Sequence, residues 1–194
     1  IIKKLTLGFD PSLFTNKQLN TYFGDSLILK PINKNLIDEF YQVKTTKTKP
    51  FYSLDNKITG QNYKSKINKI SKILKLNKVD YLFISAPENV AWTLNIRGHD
   101  NPNSPIPNCR LIIGKNKKIF LIAKKAKTLK IIKEKKLKKN QIIDPENFLS
   151  LINKLKGSKF IIDSLSCSIL NENIIRSRFK IINKDDPCYK LKSI

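Results

Sequence analysis

The chain has 194 residues and a formal charge of +23, a length that suits one α/β domain plus part of another, since single cores commonly occupy ~100–200 residues. No apolar run approaches the ~18–20 residues that cross a bilayer, and the widely spaced Cys109, Cys167 and Cys188, with a single histidine in the chain, make no zinc-type ligand set. The charge invites a phosphate-binding reading, yet only four of the 38 basic residues are arginine, and phosphate recognition favours the guanidinium fork. An excess of Lys, Ile and Asn is what adenine- and thymine-rich codons produce. Neither nucleic acid nor membrane is therefore expected as a partner, and the thiols are expected to be isolated in a reducing cytoplasm.

In chain order, Lys4 to Gly8 reads as a strand, Thr15 as the N-cap of a helix from Asn16 to Phe23, Ser26 to Leu29 as a second strand and Asn35 to Tyr41 as a short helix. From Gln42 to Lys57 no period is sustained, which predicts a crossing segment or linker. Residues 1–49 are accordingly expected to be the end of a preceding domain, or the first part of this one, plus linker. Residues 50–184 are expected to form the α/β domain, and residues 185–194 a linker. Tyr63, Ile67, Ile70 and Leu74 share one helical face, with a solvated lysine face opposite. Tyr81 to Ile84 is a continuous apolar run, as in a strand covered on both sides. Arg110–Ile113 and Lys118–Ile122 flank Gly114-Lys115-Asn116-Lys117, a hairpin signature. The run from Lys124 to Lys139 predicts a basic helix with Ala126, Leu129 and Ile132 marking its apolar face. A short strand near Gln141 to Ile143, a helix from about Pro145, a strand at Phe160 to Ile162, a helical turn near Cys167 to Asn173 and a strand at Phe179 to Ile182 complete the series. Alternating helices and strands with one hairpin predict an α/β fold: a mixed sheet flanked by helices.

The most unusual chemistry lies between Ile84 and Pro107, which holds the only tryptophan and the only histidine. Pro87 at a first helical turn predicts a short helix through Leu94, Asn95 is expected to cap its end, and Gly98 to mark a sharp turn. Pro102, Pro105 and Pro107 predict a stiff, extended loop. The segment W-T-L-N-I-R-G-H-D-N-P-N-S-P-I resembles the W-L-x-N-x-R-G-x-D-x-x-x-x-P signature of the non-catalytic second domain of three-domain Xaa-Pro aminopeptidases (aminopeptidase P). Gly8-Phe9-Asp10-Pro11 and Asn35-Leu36-Ile37-Asp38 resemble the G-x-D-P and N-L-[IV]-D of that family's first domain. Thr59 to Ile67 resembles the T-G-x-S-x-x-x-K-[IV] that opens the first helix of the family's second domain, with Asn62 in place of the serine. Asp186-Pro187-Cys188 and Lys190-Leu191-Lys192 resemble the linker into the catalytic domain. The resemblance runs through essentially the whole chain. It implies a roughly six-stranded mixed sheet of the creatinase/prolidase N-terminal domain type.

An autonomous hydrolase needs a nucleophile with its base, or a metal cluster, and the sequence offers no H-E-x-x-H, no G-x-S-x-G and no phosphate loop. No catalytic or metal-ligating residue is assigned, and a chain that opens Ile1-Ile2-Lys3-Lys4 without any methionine is expected to be a piece of a longer one. The resemblance implies a cytoplasmic parent enzyme that removes the residue preceding an N-terminal proline. It implies two divalent ions, manganese or zinc, in a C-terminal catalytic domain, with that domain, a peptide carrying proline second and a homodimer as partners. Arg97, His99, Asp100, Trp92 and Asn95 are the substrate-cleft candidates: Arg97 to bind a peptide carbonyl or carboxylate, His99 or Asp100 to position a polar group. Each has a purely structural alternative as loop tie, core residue or cap. Other readings are a peptide- or protein-binding module from a relative that has lost catalysis and, third, a nucleic-acid binder.

Overall fold

The computed structural model describes residues 5–24, 26–32, 35–41 and 49–193. Its first part is a two-stranded parallel sheet, β1 (Thr6–Phe9) beside β2 (Ile28–Pro31), with α1 (Asn16–Phe23) between them and α2 (Leu36–Phe40) after. Thr15 caps α1 in a reciprocal box with Gln18, as its sequence position predicts. The second strand starts two residues later than expected and ends on Pro31; Lys4, and Gln42 to Thr48 of the expected linker, lie outside the described residues. This first part is docked on the rest of the chain. Phe14 and Pro11 carbonyls accept from the amides of Ile169 and Leu170, and Phe9 and Leu19 pack with Ile169.

The elements that follow are β3 (Tyr52–Ser53), α3 (Asn56–Thr59), α4 (Tyr63–Leu76), β4 (Tyr81–Ile84), α5 (Pro87–Leu94), β5 (Ile96–Arg97), β6 (Arg110–Gly114) and β7 (Ile119–Ile122). Then come α6 (Lys125–Lys133), β8 (Ile142–Ile143), α7 (Phe148–Lys154), β9 (Lys159–Ile162), α8 (Ile169–Arg176), β10 (Lys180–Asn183) and α9 (Pro187–Lys192). Six strands form the expected mixed sheet in the order β10-β9-β4-β6-β7-β8, with β4 parallel to β9 and antiparallel to β6. Successive strand residues face opposite sides, and both sides are covered. Leu82, Ile84, Leu111 and Ile113 pack beneath α4 and α5, while Phe83, Ile112, Phe160 and Ile162 pack with Phe148 and Ile152 of α7 and Ile175 of α8. That two-sided cover is why the strands read as continuous apolar runs.

Three details add to the sequence reading or depart from it. The stretch without a sustained period is structured where it enters the 50–184 region: Phe51 is fully buried, and Tyr52–Ser53 pairs with Ile96–Arg97 as a second small sheet. Residues 187–192 form a docked helix, with Cys188 fully buried and Asp186 capping its first turn. Burial pushes the Asp186 carboxyl up, although Cys188 N and Asn89 Nδ2 donate to it. Helix α6 buries Thr128 and Ile131 rather than the expected stripe; Ala126 is exposed, Leu129 is 63% exposed and only Ile132 is half-buried. The Thr128 hydroxyl bonds Lys125 O, so a residue counted as polar sits inward without an orphaned donor.

Candidate functional site

The site grows from the C-terminal end of α5. Pro87 opens this helix, and Asn95 closes it in the left-handed conformation (φ 51, ψ 48), which asparagine tolerates. Asn95 satisfies every polar atom it has. Its Oδ1 accepts from Lys66 Nζ at 2.6 Å, its Nδ2 donates to Thr59 Oγ1 and Gln61 O, and its carbonyl accepts from Leu54 N and Lys136 Nζ. Lys66 Nζ also reaches Trp92 O at 2.7 Å and lies 4.3 Å above the Trp92 ring. Arg97 turns back in the same way, with Nη1 donating to Ile96 O at 2.8 Å and Ala91 O at 3.3 Å. Lys66 and Arg97 thus converge on carbonyls in the last turn of α5, and Lys136 on that of the cap residue Asn95, at the helix's negative end, where cations are favoured. Burial pulls the Lys66 ammonium down to about 8, helped by the nearby Arg97 and Lys136 charges.

Beyond Arg97 the chain does not extend away as three prolines suggest; it folds back on itself. Gly98 N donates to Pro105 O, Asn101 bridges Ser104, and the Asn101 side chain accepts from Asn103 N, a local turn that accommodates Pro102. Gly98 serves close approach rather than turning: a Cβ there would lie 2.8 Å from Pro107 Cα and 3.2 Å from Phe51. Asp100 ties the returning strand, accepting from Asn108 N and pairing with Lys127 of α6. His99 alone of the five candidates is exposed, and its ring stacks on Tyr52 at 5.3 Å, with Lys130 Nζ 6.0 Å from the Tyr52 ring. Trp92 is half-buried and packs against the main core.

The structure therefore places Arg97, Asp100, Trp92 and Asn95 as ties within the domain and brings His99 to the surface beside Tyr52. Sequence reasoning left Tyr52, Lys66, Lys127 and Lys136 out of the site, although Lys66 is the lysine of the T-G-x-S-x-x-x-K-[IV] resemblance. Lys66 carried a signal, since it lies three residues after Tyr63 and next to Ile67, inside the apolar stripe rather than opposite it. Lys127 and Lys136 carried none, within a run read as a solvated face. Among the described residues no group of three His, Cys, Asp or Glu side chains is placed to hold a metal ion, so the residues present do not fit a di-metal centre.

The comparisons with known proteins bear on the family and the fold. The chain is 30% identical over 128 residues to "Protein pid-5" of Caenorhabditis elegans, covering 63% of this chain and 12% of that protein. It is 31% identical over 112 residues to the Xaa-Pro aminopeptidase app-1 of the same organism, covering 55% of this chain and 18% of that protein. The crystal structure of the X-prolyl aminopeptidase from Caenorhabditis elegans, described as a cytosolic enzyme with a di-nuclear active site, superimposes with a TM-score of 0.77 at 22% identity, over 95% of this chain and 32% of that one. The chain thus spans less than a fifth of these two sequence relatives. Residues 42–194 match the model of the Creatinase/Prolidase N-terminal domain, and the chain belongs to that family.

Proposed function

We propose that this chain is the non-catalytic N-terminal region of a metal-dependent Xaa-Pro aminopeptidase, and that its loop from Asn95 to Pro107 forms one wall of the substrate cleft. The observation that carries the reading is the loop's construction. Arg97 and Asp100 tie it to its own domain, and His99 stands exposed with its ring stacked on the half-buried Tyr52. A loop ordered in advance costs little entropy when a ligand meets it. The reaction gives such a wall a purpose. An X-Pro bond is a tertiary amide without an N–H, and its ring fixes φ, so an enzyme must hold the free amine and the ring by shape and by contacts other than the usual backbone pairing. In this reading Arg97, Asp100, Trp92 and Asn95 position the wall, and His99 with Tyr52 meets the peptide. The two divalent ions belong to the downstream catalytic domain, which is this region's partner in a cytoplasmic enzyme that assembles as a dimer.

The test is His99→Ala in the full-length enzyme, assayed on an X-Pro peptide. We expect kcat/KM to fall by about threefold to tenfold, ~0.7–1.4 kcal/mol of transition-state stabilisation, with metal content and melting temperature unchanged. Unaltered kcat/KM for both His99→Ala and Tyr52→Ala, each folded, refutes the cleft role. A full-length protein that binds the peptide without cleaving it favours the binding-module reading instead.

A further inference from the structure

The tie behind the loop contains one group with no ordinary reason to be where it is. Lys66 is 2% exposed, and the described residues give it no carboxylate partner; it pairs instead with a backbone carbonyl, an amide oxygen and an indole face. A lysine rarely goes fully inside unless paired, and an apolar residue of similar length would pack in the α4 stripe without the desolvation cost. Its neighbours sharpen the point. Arg97 and Lys136 are close enough to oppose its charge, and the nearby Cys188 thiol, pushed up by burial and so kept neutral, offers no counter-charge. Three cations crowd one helix end. What Lys66 gains there is geometric: one ammonium joins Trp92 O, in the last turn of α5, to the Asn95 side chain, which in turn holds Thr59 and Gln61. A charged donor makes stronger, shorter bonds than a neutral one, and the left-handed backbone of Asn95 is the point from which the chain leaves α5 for the loop.

We propose that Lys66 is a positioning residue, whose ammonium locks Asn95 against the end of α5 and thereby sets the direction in which the Gly98 to Pro107 loop presents His99. The consequence for a peptide rests on the proposed role of that loop, but the lock itself is tested on this chain with no substrate present. Amide hydrogen exchange is compared between the unsubstituted chain, Lys66→Met, which keeps the length and removes the charge, and Lys69→Met, an exposed control on the same helix. In Lys66→Met the amides of Leu54, Asn95 and Gly98 are expected to exchange at least tenfold faster, while those of Leu82 and Ile112 in the sheet keep their protection. The emission of Trp92, the only tryptophan, is expected to shift in Lys66→Met and not in Lys69→Met.

Unchanged exchange at the three loop-side amides overturns the proposal. So does acceleration spread equally over the sheet, which makes Lys66 a packing residue and nothing more. Should Lys66→Met not fold, the unsubstituted chain still decides: the ε-methylene protons of Lys66 must resonate upfield of the other lysines, beneath the Trp92 ring. An ordinary position for them overturns the lock.

Discussion

Asp80 offers a stability test whose size follows from its contacts. It stands just before β4; its Oδ2 accepts from Ser158 N at 2.8 Å and Lys159 N at 3.0 Å, and its Oδ1 pairs with Lys115 Nζ at 2.8 Å. One carboxylate thus ties β4 both to the start of β9 and to the turn of the β6–β7 hairpin. Burial alone raises its pKa, but the Lys115 ammonium and the two amides outweigh it and hold the carboxyl at about 2 against an ordinary 3.8. A fall of that size corresponds to ~2.4 kcal/mol, which solvent screening at the 54% exposed Lys115 side chain reduces to ~1–2 kcal/mol. Because the folded-state pKa is depressed, this stability is fully present above pH 3.8 and is lost as pH falls toward 2. Urea unfolding of the unsubstituted chain and of Asp80→Asn is therefore expected to differ by ~1–2 kcal/mol at pH 7. The gap should begin to close below about pH 4. Added salt should remove the Lys115 share and leave that of the amides. Equal stability at pH 7, or a gap that stays constant down to about pH 2.5, refutes the assignment.

Gly98→Ala is expected to cost ~1–3 kcal/mol through the clash with Pro107, seen as a lower melting temperature; an unchanged melt means the loop has slack the geometry denies. Arg97→Ala should cost ~1–2 kcal/mol, since its guanidinium donates to two backbone carbonyls, Ala91 O in the last turn of α5 and Ile96 O in β5. The exposed His99→Ala should leave the melt within about a degree, and the reverse ranking would exchange the roles given to these two residues. Cys109, Cys167 and Cys188 are buried and free, and burial pushes all three thiols up, so an aromatic disulfide reagent at about pH 8 should label none until the chain is unfolded. Rapid labelling of any one in the folded chain contradicts its burial.

The sheet was legible because its signal is local and redundant. Tyr81 to Ile84 and the Arg110–Ile122 hairpin state their conformation within short stretches of chain, and burial on both faces shows as unbroken apolar runs. The small β3–β5 sheet was not legible. Two residues are too few to show a period, and Tyr52 meets Arg97 only after the chain has passed through α3, α4, β4 and α5. The candidate site was half legible for a related reason. Residues that carry unusual chemistry in sequence, Trp92, Arg97 and Asp100, proved to be the ones the domain uses to hold its own loop. The sequence could not say which way those side chains turn, because their partners are backbone carbonyls and distant lysines.

The lysines show where composition stops being informative. A high count of lysines carries no information about any one of them. Placement is a separate matter. A random surface lysine keeps its ammonium in water, whereas Lys66, Lys127 and Lys136 deliver theirs to Asn95, Asp100 and the end of α5. Moving a charge out of water costs free energy. These three positions are therefore constrained by what they hold, and what they hold is one loop. Among the described residues the exposed lysines make no such contacts, while these three hold the segment that leads from α5 into the loop.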